Sequence, residues 1–378
     1  MSARRVAVAG YGLSTIGRDT GLSVLELCTQ AIHAALADTG LRPADVDGLS
    51  AYSFAPDTID AYGTAAAVGM TGLTWVAGMT EGPAFAQSAV SAAMAVASGM
   101  CDTVIALRAI RRHTSTGLPH TATVGGDRQF TQVFGGGQPV QWAGMYQRRL
   151  VHELGWDEAA IGTQVVAQRR FATMNPEALH RAPLTLADYE ASPFVSAPIR
   201  LLDCDYPVDA GAAVVFTTEE RARDLAAPVV LVDAYSLGVS GERTFEHARD
   251  VTRTASHAAA AHLWRRTDWK PGDVDVAGLY DGFSFVVLDW LEALGLCERG
   301  GAADFVLGGG TAPGGRLPVN CDGGAANVGR IHGVNHVIEV VRQLRAQSGP
   351  RQVGGARVGV VSNAIGPFAG CLLLTNQA

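Results

Sequence analysis

One pattern occurs twice in this sequence, and it restricts the fold more than any other feature. The opening "RRVAVAGYG" reads as a buried strand ending in a glycine turn, and "SVLELCTQAIHAALADTG" follows with helical spacing and a stop at Gly40. After the loop and strand of "RPADVDGLSAYS" comes "EGPAFAQSAVSAAMAVASGMCDTVIALRAI". It supplies a glycine start, a small-residue helix ending near Gly99, and a strand from about Thr103. That helix is apolar almost all round, so it is predicted to be buried. The same grammar returns in "APVVLVDAYSLG" (strand), "HARDVTRTASHAAAAHLWRRT" (helix) and "DVDVAGLYDGFSF" (loop and strand). "GGAANVGRIHGVNHVIEVVRQL" then reads as one glycine-led helix before the strand "ARVGVVSNAIG". The repeat is offset by about 220–240 residues. It divides the chain into a first half over 1–111, an inserted loop domain over 112–222 with helices of its own, and a second half over 223–378.

Composition fits an α/β protein with a large core: of 378 residues, 48% are hydrophobic, 17% are charged and 45 are glycine. A net charge of −7 and the absence of any basic run argue against nucleic acid as a partner. No apolar stretch reaches the roughly 18–20 residues of a membrane span. The opening residues enter a strand directly, so no signal peptide is expected. Six scattered cysteines without a C-x-x-C pair favour a reducing, cytoplasmic setting over disulfides or structural zinc.

Three blocks carry a family resemblance: "ATMNPEALHRAPLTLADYEASPFVSAPIRLLDCDYPVDAGAAVVFTTEERA" (172–222), "LYDGFSFVVLDWLEALGLCERG" (279–300) and "LPVNCDGGAANVGRIHG" (317–333). Their order and spacing resemble the thiolase superfamily, in the branch related to the thiolase domain of sterol carrier protein x. The resemblance implies an α/β thiolase fold with five layers, α-β-α-β-α, and a homodimer built through the first-half sheets. It breaks at the positions that carry thiolase chemistry. The nucleophilic cysteine would fall near Gly82, in "TEGPAFAQS", where there is none. The Gly-His-Pro motif is Gly329-Arg330-Ile331, and the Asn-Glu-Ala-Phe motif is Tyr280-Asp281-Gly282-Phe283. The acid/base cysteine near the C-terminus falls around Ser362–Ile365, and Cys371 lies too far along.

Tyrosine at position 280 resembles the thiolase-like aldolases of steroid side-chain degradation. That subgroup cleaves a β-hydroxyacyl-CoA by retro-aldol reaction and works with a small partner of OB fold and zinc ribbon. Its second tyrosine would fall at the Arg330 position. The resemblance implies an acyl-CoA substrate, with coenzyme A as carrier and no bound cofactor.

A retro-aldol reaction needs a base for the β-hydroxyl proton and a stabiliser for the thioester enolate. Lys270, the only lysine, lies in the turn-like "TDWKPGD", so a Schiff-base route is set aside. His332 and His336 at i, i+4 with Glu339 are weighed as metal ligands, and a polar helix stripe is the favoured reading. Tyr280 is the expected acid/base, its pKa lowered by Arg330. Arg330 is equally an expected enolate holder, and His332 a second proton carrier. Asp281 orients Tyr280 or Arg330, or is an ordinary turn carboxylate. Gly323 and Gly324 are expected to let substrate approach a helix N-terminus, with Gly82 and His336 as further substrate contacts. His120, Trp142 and Tyr146 are candidate acyl-pocket residues. Two rival readings stand beside the lyase: an acyltransferase using a nucleophile such as Ser88, and a non-catalytic acyl- or lipid-binding component.

Overall fold

The computed structural model describes residues 4–377 apart from 54–57, 81, 83, 113–123 and 243. The first half runs β1 (Val6–Leu13), α1 (Val24–Thr39), β2 (Gly48–Tyr52), α2 (Ala61–Val68), β3 (Trp75–Met79), α3 (Phe85–Ser98) and β4 (Thr103–Ile110). The next stretch supplies α4 (Pro139–Leu154), α5 (Ala159–Thr173), α6 (Leu186–Ala191) and the ribbon β5 (Phe194–Ser196) with β6 (Ile199–Arg200). Then come β7 (Ala210–Thr218), α7 (Glu219–Arg223), β8 (Val230–Val239), α8 (Ala255–Trp264) and β9 (Val276–Gly278). The chain finishes with α9 (Phe285–Ala293), α10 (Ala302–Leu307), α11 (Ala325–Val328), α12 (Val334–Leu344), β10 (Val358–Asn363) and β11 (Phe368–Thr375).

Among the described residues, nine strands join in the order β3-β2-β4-β7-β1-β8-β11-β10-β9. Read inward from each end, β2-β4-β7-β1 mirrors β9-β10-β11-β8. The pairings agree too: β2–β4 and β9–β10 are parallel, β4–β7 and β10–β11 antiparallel. The halves meet where β1 runs antiparallel to β8 through Val6–Val232, Ala7–Leu231 and Val8–Val230. The repeat read from the sequence is therefore a pseudo-twofold, with α1 equivalent to α8 and α3 to α12.

Three apolar cores separate the layers. Leu27, Ile32 and Leu36 of α1 pack on Ile105, Leu107 and Val215 on one outer face. Phe85 and Val96 of α3, with Val337 and Val341 of α12, fill the centre between Val104 and Phe216 on one side and Val361 and Leu372 on the other. Leu263 of α8 and Trp290 of α9 cover Val360 and Leu373 on the far face. Each such side chain contributes about 1.5–3 kcal/mol by leaving water. The expected five-layer arrangement follows from these cores.

Three expectations change. The stretch "HARDVTRTASHAAAAHLWRRT" is helical only from Ala255. The helix expected across 323–344 breaks into α11 and α12. β7 lies inside 112–222 yet pairs with β4 and β1, so we propose that the insertion ends at 209.

Candidate functional site

The site forms where the second-half sheet ends. Past β9, the Leu279 amide donates to Asn320 Oδ1 (2.7 Å) and the Tyr280 amide to Ser362 Oγ on β10 (3.1 Å). Tyr280 is thus fixed at the strand tip. Its ring lies over Gly282, where a Cβ would sit 2.9 Å from the phenol oxygen. The Tyr280 hydroxyl makes no hydrogen bond among the described residues. Burial pushes the phenol above its ordinary value, nearby Asp205 adds to this, and Arg330 only partly offsets them. Arg330 does pull it down, as expected, but burial and Asp205 outweigh it, so Tyr280 is a protonated phenol, suited to donate.

The apolar spacing that suggested one long helix continues through "GRIHG", but the backbone cannot. Gly329, His332 and Gly333 have φ of 109°, 53° and 86°. The Arg330 amide donates to Tyr206 O at 2.8 Å, which turns the chain outward. Asn363 Nδ2 donates to His332 O at 3.2 Å, and the Phe85 amide at the start of α3 donates to the same carbonyl at 3.3 Å. The Ala86 amide donates to Asn363 Oδ1. Two first-turn amides of α3 are therefore held by the chain itself. Gly82, half-buried with φ 96°, leads into this turn, and a Cβ there would face Gln87.

His332 Nδ1 accepts from Arg108 Nε at 3.2 Å, so a neutral ring carries its hydrogen on Nε2. Burial, then Arg108, Arg330 and Arg112, hold the imidazole well below its usual pKa. The expected proton carrier is corrected to a neutral hydrogen-bond donor. Being outside α12, it also shares no helix face with His336. Among the described residues no three His, Cys, Asp or Glu side chains gather as metal ligands do.

Asp281, expected to orient Tyr280 or Arg330 or to be an ordinary turn carboxylate, bonds neither residue and is buried among other partners. Its Oδ1 faces His336 Nε2 at 3.0 Å, and its Oδ2 accepts from Gln168 Nε2 (2.5 Å) and the Ala325 amide (2.8 Å). The Gly324 amide donates to Asp322 Oδ1 at 2.9 Å. The amides expected to meet substrate are occupied by the chain's own carboxylates. Gly323 and Gly324 are buried, and their reason is packing on α5: a Cβ on Gly323 would lie 2.7 Å from Ala172 Cβ, and one on Gly324 would strike Gln168 and Asp281. His336 is 1% exposed, so it is a partner of Asp281 and no wall for substrate. This too is a correction.

Asp205 escaped the sequence reading. Arg330 Nη1 reaches its Oδ1 at 3.4 Å, with side-chain exposures of 28% and 11%. The second aspartate of "LLDCDYP" gives no signal until Arg330, far along the chain, is brought beside it.

The remaining candidates lie elsewhere. Ser88 is wholly buried and donates to Ser50 O (2.8 Å), which marks a helix-packing serine. Burial pushes the Cys204, Cys297 and Cys371 thiols up to about 12. Lys270 is exposed in its turn. Trp142 stacks on Phe245 (4.4 Å) and meets Phe283 edge-on, while the Tyr146 hydroxyl donates to Phe245 O (2.7 Å). These aromatics buttress the loop after Tyr280. His120 lies outside the described residues.

Residues 238–371 match the thiolase C-terminal domain-like family. A 17-hydroxy-3-oxo-4-pregnene-20-carboxyl-CoA lyase of Mycobacterium tuberculosis is 35% identical, covering 99% of this chain and all of the relative. A steroid side-chain-cleaving aldolase of Thermomonospora curvata is also 35% identical, over 90% of each chain. Among solved structures, the Ltp2-ChsH2(DUF35) aldolase superposes with a TM-score of 0.91 at 33% identity, covering 98% of this chain and 97% of that one.

Proposed function

The chain belongs to the thiolase superfamily, in the branch that holds steroid side-chain-cleaving aldolases, and from that premise we propose that it cleaves a carbon–carbon bond in a steroid-like β-hydroxyacyl-CoA. The products are a ketone and a shorter acyl-CoA. The end-to-end match to a protein named for a steroid carboxyl-CoA lyase carries this reading.

In this reading the side chains divide the work. Arg330, whose planar donors stay charged, holds the thioester enolate oxygen as it forms. His332 offers Nε2–H as a neutral donor to the same charge. Tyr280, kept protonated by burial and Asp205, returns a proton to the enolate carbon. Arg108 and Asp281 position His332 and the Gly323–Gly324 turn. Where thiolases carry their cysteine this chain has Gly82, so cleavage proceeds without an acyl-enzyme. Ser88, bonded into β2, offers the acyltransferase reading no nucleophile.

The protein works as a homodimer with a small OB-fold, zinc-ribbon partner. A solved aldolase assembled with a DUF35 protein supports the partner, and β3, at the outer edge of the first-half sheet, supports the dimer. The test is ketone release from 17-hydroxy-3-oxo-4-pregnene-20-carboxyl-CoA with the partner present. No release from this or related steroid β-hydroxyacyl-CoA substrates sinks the proposal.

A further inference from the structure

We propose that Asp205 is the general base that takes the β-hydroxyl proton, an assignment that rests on the retro-aldol reading and completes it. The reaction needs an acceptor, and the other groups are spent. Tyr280 is a protonated phenol. His332 has its Nδ1 lone pair engaged by Arg108 and a hydrogen on Nε2. Asp281 is filled by His336, Gln168 and the Ala325 amide.

Asp205 is different. Its carboxylate meets Arg330 Nη1 at 3.4 Å, the outer limit of a hydrogen bond, and makes no other side-chain bond among the described residues. A carboxylate has about four acceptor sites, so most of its capacity is open.

Backbone bonds fix its place between the two reactive loops. Cys204 forms a β-bridge with Phe283, and the Asp205 amide donates to Gly282 O at 3.3 Å. The Tyr206 amide donates to Ala325 O at 3.1 Å, and Tyr206 O accepts from the Arg330 amide at 2.8 Å. Residues 204–206 are stitched to the Tyr280 loop on one side and the Arg330 loop on the other. The charges facing the carboxylate are Arg330 and Arg112, which favour its ionised form, and Asp281, which opposes it; Tyr280 and Cys204 stand beside it as neutral groups. Burial outweighs the arginines and raises the acid above the usual carboxylate range, toward that of a useful base.

The step balances without an oxidant. The substrate O–H bond breaks and its proton goes to Asp205. The oxygen pair forms the ketone C=O, and the Cα–Cβ bond breaks. Its pair passes to Cα and the thioester oxygen, held by Arg330. Tyr280 protonates Cα, and the proton on Asp205 then restores the phenol.

The experiment measures ketone release from 17-hydroxy-3-oxo-4-pregnene-20-carboxyl-CoA by the enzyme with its partner, over a range of pH. Asp205→Asn is expected to lower kcat by about 10²–10⁴-fold with KM within a few-fold. The wild-type acid limb should vanish in that variant, and formate should restore activity to Asp205→Ala. Asp205→Glu, which keeps the carboxylate, should retain more activity than Asn and guards against misreading a folding defect. Asp205→Asn with near-wild-type kcat overturns the assignment. So does a loss with the acid limb intact and no formate rescue, which marks a residue that only holds Arg330. A wild-type enzyme that releases no ketone sinks the reaction reading itself, and this assignment with it.

Discussion

The imidazole of His336 and the carboxylate of Asp281 face each other at 3.0 Å, with side chains 1% and 2% exposed. Burial pulls the imidazolium down, but Asp281, with a smaller push from Asp322, lifts it by more, so its pKa is raised. The pair ties α12 to the loop after β9 and, through the Ala325 amide, to the glycine turn.

Removing one partner leaves a buried group uncompensated. His336→Ala should cost about 3–5 kcal/mol in denaturant unfolding. Because the folded-state pKa is raised, this contribution is full below the unfolded value of about 6.5 and fades as pH rises through the folded one. The gap between wild type and variant should therefore narrow on the alkaline side. A gap that widens there contradicts the pairing.

Gly324 has φ 73° and ψ 172°, a region open essentially to glycine, and a Cβ would strike Gln168 and Asp281. Gly324→Ala should lose on the order of 3 kcal/mol of stability from strain and overpacking together. Thermal unfolding checks this. An unchanged Tm would return the glycine to its expected role of admitting substrate.

These two relationships show where the sequence was readable. Buried strand runs and glycine stops gave the repeat, because Gly40 and Gly99 do end their helices in left-handed conformation. The residues at 82, 280 and 330 could be read against the family's motif positions, as expectations about the site. The helix break at 329–333 was hidden, since apolar spacing continues across it and only tertiary bonds to Tyr206 and Asn363 turn the chain. The short α2 and the edge strand β3 carried too little pattern. Asp205 and the Asp281–His336 pair gain meaning only from partners brought in by the fold.

Asp289 on α9 is buried, which pushes its carboxyl up to about 7; its Oδ2 accepts from Ser256 Oγ at 3.0 Å. A raised carboxyl favours the folded state most below its unfolded value of about 3.9. That stability drains away as pH rises to about 7. Asp289→Asn should flatten this stretch of the stability–pH curve, by on the order of 4 kcal/mol at most. Parallel curves for wild type and variant would refute it.

Arg330→Ala removes the proposed enolate holder and should lower kcat about 10²–10³-fold. Arg330→Lys keeps the charge but loses the planar fork, and should recover only part of that loss. Equal activity in all three proteins, measured as ketone release, would exclude Arg330 from the reaction.

The most direct test compares wild type with Tyr280→Phe on 17-hydroxy-3-oxo-4-pregnene-20-carboxyl-CoA, with the small partner present. The account predicts ketone and shorter acyl-CoA in equal amounts from wild type, and a loss of about 10²–10⁴-fold in kcat for the variant. Equal turnover by the two proteins, or no ketone from wild type, would contradict it.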